Sequence, residues 1–145
     1  MEEERHFFEK RFDGYVEELA TPCQMYGLDG MSIECEAIWD TGAEDSVVSP
    51  DVAKRLNLPV FSKAEMYHAA GKSITNTYLV YIGITNDIII GPIHVMEGQF
   101  EGNVILLGMD VIGSGDLVVT NNEEHTEMAF GMPSCLKIDN IRKLL

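Results

Sequence analysis

The sequence has no long hydrophobic run. Its most apolar stretch, Ile88-Ile89-Ile90-Gly91-Pro92-Ile93, is far shorter than the roughly 20 residues a membrane span requires. It opens on MEEERHFFEKRF, charged and mostly acidic, without the apolar centre of a secretory signal. Cysteine is sparse: Cys23, Cys35 and Cys135 are odd in number, far apart and free of any CxxC spacing. That usage favours reduced thiols and a cytoplasmic location, with one disulfide plus one free thiol as the other possibility. His6, His68, His94 and His125 are equally scattered, so there is no metal-site pattern, and neither metal nor cofactor is expected. Basic residues are few as well. Ten Lys and Arg face 24 Asp and Glu, a formal net charge of -14, and the acid excess runs along the whole chain instead of gathering in a tail. Nucleic acid and anionic membrane are poor partners for such a field, whereas basic or neutral polypeptides and small molecules remain open.

What is present is one domain's worth of chain. At 145 residues and 46% hydrophobic composition, it can bury roughly two thirds of its unfolded surface and is too apolar for a disordered acidic segment. Phe8, Phe12, Tyr15 and Leu19 recur at spacings of four, three and four, which predicts an amphipathic helix ended by Thr21-Pro22. From Met31 to Ala37 the period changes to two, a half-buried strand running into Ile38-Trp39. Ser49-Pro50-Asp51 is a helix start, followed by a short helix to Leu56. Tyr78, Val80, Ile82 and Ile84 alternate with Leu79, Tyr81 and Gly83, the clearest strand signal. Residues 88–96, Val104–Leu107, Leu117–Thr120 and Thr126–Phe130 add short strands, and Ile138–Leu145 reads as a closing helix. Many short strands with few helices predict a mainly-β, barrel-like or sandwich domain. The expected organisation is a helical N-terminal extension over 1–24, a domain over 25–134 and a C-terminal helix over 135–145.

Most acids in such a chain are solvated surface groups. Asp40 differs because it follows the apolar strand end Ala37-Ile38-Trp39 and precedes Thr41-Gly42-Ala43. A carboxylate there is partly desolvated and depends on a partner. Gly42 allows close backbone approach, and Thr41 offers a hydroxyl. Local chemistry alone leaves two readings standing: a reactive carboxylate, or an Asx-turn closing a strand.

Ile38-Trp39-Asp40-Thr41-Gly42-Ala43 resembles the hydrophobic-hydrophobic-Asp-Thr/Ser-Gly-Ala signature of retroviral-type (retropepsin-like) aspartic proteases. Three further elements follow in the family's order. Ser46 stands where the family often packs a hydroxyl beneath the active-site loop. His68-Ala69-Ala70-Gly71-Lys72-Ser73 is similar to the flap hairpin. Val104-Ile105-Leu106-Leu107-Gly108-Met109-Asp110 resembles the late strand and its glycine turn, with Asp110 at a non-catalytic position. Gly115–Asn121 and Met132-Pro133-Ser134 resemble the C-terminal part of bacterial members.

The resemblance implies an all-β, retropepsin-like acid protease barrel with short helices, and an aspartic endopeptidase without cofactor. With one Asp-Thr-Gly per chain, the active site would need a homodimer with Asp40 from each chain at the twofold axis, acting on an extended peptide or protein. It implies catalytic roles for Asp40, Thr41 and Gly42, and substrate contacts from Ala43, Glu44, Asp45, Ala70, Gly71 and Ile74. Ser46, Leu107 and Gly108 would support the site. Met109 stands where retroviral members usually carry an arginine, and Trp39 is bulkier than the usual aliphatic residue, read here as a core aromatic. The terminal helices could rebuild the dimer interface or pack on the domain's own open face. Two alternatives from other classes are a non-catalytic binding or assembly module on the same fold, and a structural subunit whose acidic surface holds a basic partner.

Overall fold

The computed structural model describes residues 4–145; residues 1–3 of the expected N-terminal extension lie outside the described residues. In chain order the strands are β1 (His6–Arg11), β2 (Ala20–Tyr26), β3 (Ser32–Trp39), β4 (Val47–Val48), β5 (Ser62–His68), β6 (Gly71–Gly83), β7 (Ile89–Glu97), β8 (Val104–Leu107), β9 (Asp116–Asn122) and β10 (His125–Met132). Three short helices punctuate them: α1 (Pro50–Arg55) after β4, α2 (Met109–Ile112) after β8 and α3 (Ile138–Arg142) after β10.

These strands do not form the single closed barrel expected. They divide into a seven-stranded sheet of order β2-β3-β8-β4-β7-β6-β5 and a separate three-stranded sheet of order β1-β10-β9. β5 ends the larger sheet as an edge, and β2 makes a short further pairing with β6 over Gln24–Tyr26. The larger sheet is mixed, because β3–β8 and β4–β7 pair in parallel and its other pairs are antiparallel. The fold is therefore a mixed sheet with short helices. Its core comes from the alternating faces of these strands: Val80 and Ile82 of β6, Val95 of β7, Ile105 and Leu107 of β8 and Val48 of β4 are all fully buried. Burying such side chains stabilises by about 1.5–3 kcal/mol each before chain entropy is counted.

The N-terminal helix is also corrected to a strand. β1 pairs antiparallel with β10 through all six residues, Phe8 opposite Phe130 and Lys10 opposite Met128. The segment that follows is claimed by Thr126: Phe12 N–H donates to its carbonyl (2.9 Å), its own N–H donates to Gly14 O (3.0 Å), and Val16 N–H donates to its hydroxyl (3.1 Å). Gly14 sits at φ +83°, a left-handed conformation that an α-helix cannot contain. The C-terminal helix is present but stops at Arg142.

Trp39 joins the two sheets. Its ring lies 5.8 Å from Phe8 and 4.9 Å from Phe130, and its indole N–H donates to Thr21 Oγ1 at 2.9 Å. It is the core aromatic anticipated from the sequence, and it stands immediately before Asp40. A second tie gathers Arg5 and the segment Ser134–Leu136 on Asp116 at the start of β9. Its carboxylate accepts from Ser134 Oγ (2.6 Å), Cys135 N–H (2.8 Å), Leu136 N–H (2.9 Å) and the Arg5 guanidinium (3.0 Å). The Ser134 hydroxyl and the two backbone N–H groups lower its pKa from 3.8 to about 2.

Candidate active site

Asp40 leaves the sheet at the point where β3 ends against β8. Trp39 is registered with Leu107, and Asp40 N–H donates to Leu107 O at 2.8 Å. The chain then turns tightly: Ala43 N–H donates to Asp40 O at 3.2 Å, and Gly42 N–H donates to Asp40 Oδ1 at 2.9 Å. The Asx-turn weighed from the sequence is thus present. It does not displace the reactive reading, because it orients the half-buried carboxylate with one oxygen bound. Among the described residues Gly42 N–H is the sole donor to that carboxylate. Thr41 and Gly42 lie exposed at the rim with Glu44 and Asp45, and Ala43 is half-buried. A Cβ on Gly42 would stand 3.2 Å from Asp40 Oδ1, which crowds the atom that the turn positions.

The loop is strapped from below by the β8–α2 junction. Met109 N–H donates to Ala43 O (2.8 Å) and Asp110 N–H to Glu44 O (3.1 Å). Ser46, fully buried, is the centre of the brace. Its hydroxyl donates to Asp110 Oδ1 at 2.7 Å and accepts from Gly108 N–H at 3.1 Å, while its N–H donates to Asp110 Oδ2 at 2.9 Å. Gly108 is required by contact: a Cβ there would come within 2.8–2.9 Å of Asp45 C and of the Ala43 and Asp45 carbonyl oxygens. Leu107 is fully buried beneath. Ser46, Leu107 and Gly108 are therefore brought together with Asp40, Thr41, Gly42 and Ala43. Sequence reasoning missed the contribution of Asp110. The acid three residues after Leu107 was a visible signal, but its partner Ser46 lies 64 positions away.

Ala70, Gly71 and Ile74 belong to a different element, the β5–β6 hairpin. Ala69 and Ala70 form its turn, His68 is registered with Gly71, and Gly71 has φ +125°. No atom lies within 4 Å of a Cβ built at Gly71, so conformation and not space asks for glycine there. Among the described residues no hydrogen bond joins this hairpin to the Asp40 loop. Ile74 is 73% exposed and lines an open cavity of about 500 Å³ with Met66, Ser73, Thr75, Glu97 and Gln99. Beside it, burial and the Glu97 carboxylate push the Tyr78 phenol above its ordinary pKa, so Tyr78 keeps its proton and donates it to Glu97 Oε1 at 2.9 Å. Among the described residues no three His, Cys, Asp or Glu side chains converge as a metal site would need, and no helix is long and apolar enough to cross a membrane.

Residues 29–114, more than half of the chain, match the family described as "gag-polyprotein putative aspartyl protease". Among solved structures, a retropepsin-like aspartic protease from Rickettsia conorii is similar at 11% identity and a TM-score of 0.56, with 90% of this chain and 98% of that one covered. At that identity the likeness is one of fold. The retroviral protease-like domain of Ddi1 from Leishmania major aligns at 15% identity and a TM-score of 0.49, over 77% of this chain and 93% of that one. No curated protein matches the chain.

Proposed function

The chain belongs to the retropepsin-like aspartic protease family, and we propose that it is an endopeptidase that hydrolyses extended peptides through two Asp40 carboxylates, one from each chain of a homodimer. The observation that carries this reading is the Asp40 loop, in which a half-buried carboxylate is held by Gly42 N–H and strapped through Ser46 to Gly108 and Asp110. A single chain supplies one such group, since Asp110 is committed to Ser46. One carboxylate can accept a proton from water but cannot also protonate the developing oxyanion. Two carboxylates about 3 Å apart resist double ionisation and share one proton. The ionised member then takes a proton from a bound water that attacks the scissile carbonyl, while the protonated member donates to the carbonyl oxygen and the leaving nitrogen is protonated afterwards. The two apparent pKa values belong to the pair.

Within this reading Thr41 braces the dyad across the twofold axis and the Gly42 carbonyl accepts a substrate N–H. Ala43, Glu44 and Asp45 border the peptide. Ala70, Gly71 and Ile74 close over it as a hairpin whose tip lacks a Cβ at Gly71. The free thiols at Cys23, Cys35 and Cys135 fit a reducing, cytoplasmic setting. The test is cleavage of a peptide library by the full chain across about pH 3–7, the range in which a carboxylate pair titrates, with Asp40→Asn alongside. Cleavage that survives the substitution rejects the dyad.

A second reading, a binding or assembly module without proteolysis, draws on a specific feature. β1 is paired with β10, and Arg5 with Asp116, within one chain, so these contacts need no partner. Light scattering separates the two readings: a monomer at all accessible concentrations favours the module.

A further inference from the structure

Cys23 and Cys35 lie apart in sequence but directly opposite each other across β2 and β3. Both side chains point to the same face, both are nearly buried at 6% and 7% exposure, and both line an open cavity of about 690 Å³ that also takes in Lys10, Tyr26 and Glu34. Asp40 is not among its lining residues. Directly opposed residues on antiparallel strands have Cα atoms about 4.5–5.5 Å apart, inside the roughly 4.4–6.8 Å that a disulfide spans. The remaining cysteine, Cys135, is exposed in the C-terminal segment.

We propose that Cys23 and Cys35 form a reversible redox pair, oxidised by hydroperoxides to an intrachain disulfide that staples the β2–β3 hairpin. The cavity gives a small oxidant access to two sulfurs that are otherwise screened from bulky reagents. The hydrogen bond between the two sulfurs favours one thiolate at a time: it lowers Cys35, with Arg55 adding to the effect against burial, and with burial it raises Cys23. The sulfur that is the thiolate attacks a peroxide oxygen, the O–O bond breaks, and hydroxide (or alkoxide) leaves and is protonated, giving a sulfenic acid. The other sulfur then attacks the sulfenic sulfur, the S–O bond breaks, and water departs with that thiol's proton as the S–S bond forms. Two thiols lose one electron each, and one hydrogen peroxide becomes two waters. A dithiol reductant reverses the step by exchange. This inference stands independently of any protease activity.

The test uses the full-length protein treated with hydrogen peroxide, alkylated and mapped by mass spectrometry. The expected result is a drop from three alkylatable thiols to one, a Cys23–Cys35 linked peptide pair lighter by two hydrogens, and full recovery with dithiothreitol. Hydrogen exchange in β2 and β3 should slow in the oxidised form. In Cys23→Ser, dimedone should trap a sulfenic acid at Cys35. The wild-type mapping does not depend on that variant folding. Three alkylatable thiols after treatment, or a disulfide confined to Cys135 between two chains, would overturn the proposal.

Discussion

Asn in place of Asp40 keeps an oxygen able to accept from Gly42 N–H but removes the charge and the exchangeable proton. The expected outcome is a loss of cleavage of at least about 10²–10⁴-fold, the scale of general acid–base catalysis, with an unchanged thermal midpoint. Ser46 tests the scaffold instead of the chemistry. Ser46→Ala leaves Gly108 N–H without a partner and takes one of two donors from Asp110 Oδ1, which keeps Val111 N–H, at a cost of about 1–3 kcal/mol read from urea unfolding. Glu44→Ala, on the exposed rim, should stay within about 0.5 kcal/mol of wild type. Much of this residue-scale picture was legible. Asp40, Gly42, Ser46 and Gly108 stand in one motif and its companions, and the structure joins them in one loop and brace. The role of Asp110 was not, because a hydrogen bond across 64 positions has no local signature. Neither does the register that sets Cys23 against Cys35.

At the scale of elements, strands with clean alternation were readable and strands with mixed periods were not. Tyr78–Ile84 announces β6 because every second side chain is apolar and buried. Residues 6–12 satisfy a helical spacing as well as a strand one, since Phe8 and Phe12 fit both. What decided was β10, which offers a paired backbone, and Thr126, which binds the Phe12–Val16 turn. β2 was hidden for a different reason. Pro22 reads as a helix stop, yet it is tolerated in β2 opposite Glu36, where the β6 pairing, confined to Gln24–Tyr26, has not begun. The Asp116 tie makes a pH prediction at this scale. Its pKa falls from 3.8 to about 2 on folding, so its stabilising contribution is fully present above the unfolded value and is lost as pH falls through about 2. Asp116→Asn should therefore lower the thermal midpoint clearly at pH 6. The gap to wild type should shrink steadily between about pH 4 and 2. A gap independent of pH would mean that the carboxylate charge does not act there.

For the whole molecule the net charge of -14 sets the terms of association. Two such chains repel over a Debye length of about 10 Å at 0.1 M salt, so homodimerisation should strengthen as salt rises. Sedimentation equilibrium at about 0.05 and 0.5 M salt checks this, with the tighter dissociation constant expected at the higher value. Tighter association at low salt would place complementary charges at the interface and reject simple repulsion.

Residue order by itself carried most of the strands and the Asp-Thr-Gly motif, and composition the acidic charge, because alternation, charge and tight-turn residues act within a few positions of chain. The division into two sheets, the conversion of the N-terminal segment to a strand, the Asp116 tie and the Ser46–Asp110 brace were decided only in the tertiary structure. The last three depend on a backbone or carboxylate partner far along the sequence, and the two sheets meet where Trp39 packs on Phe8 and Phe130.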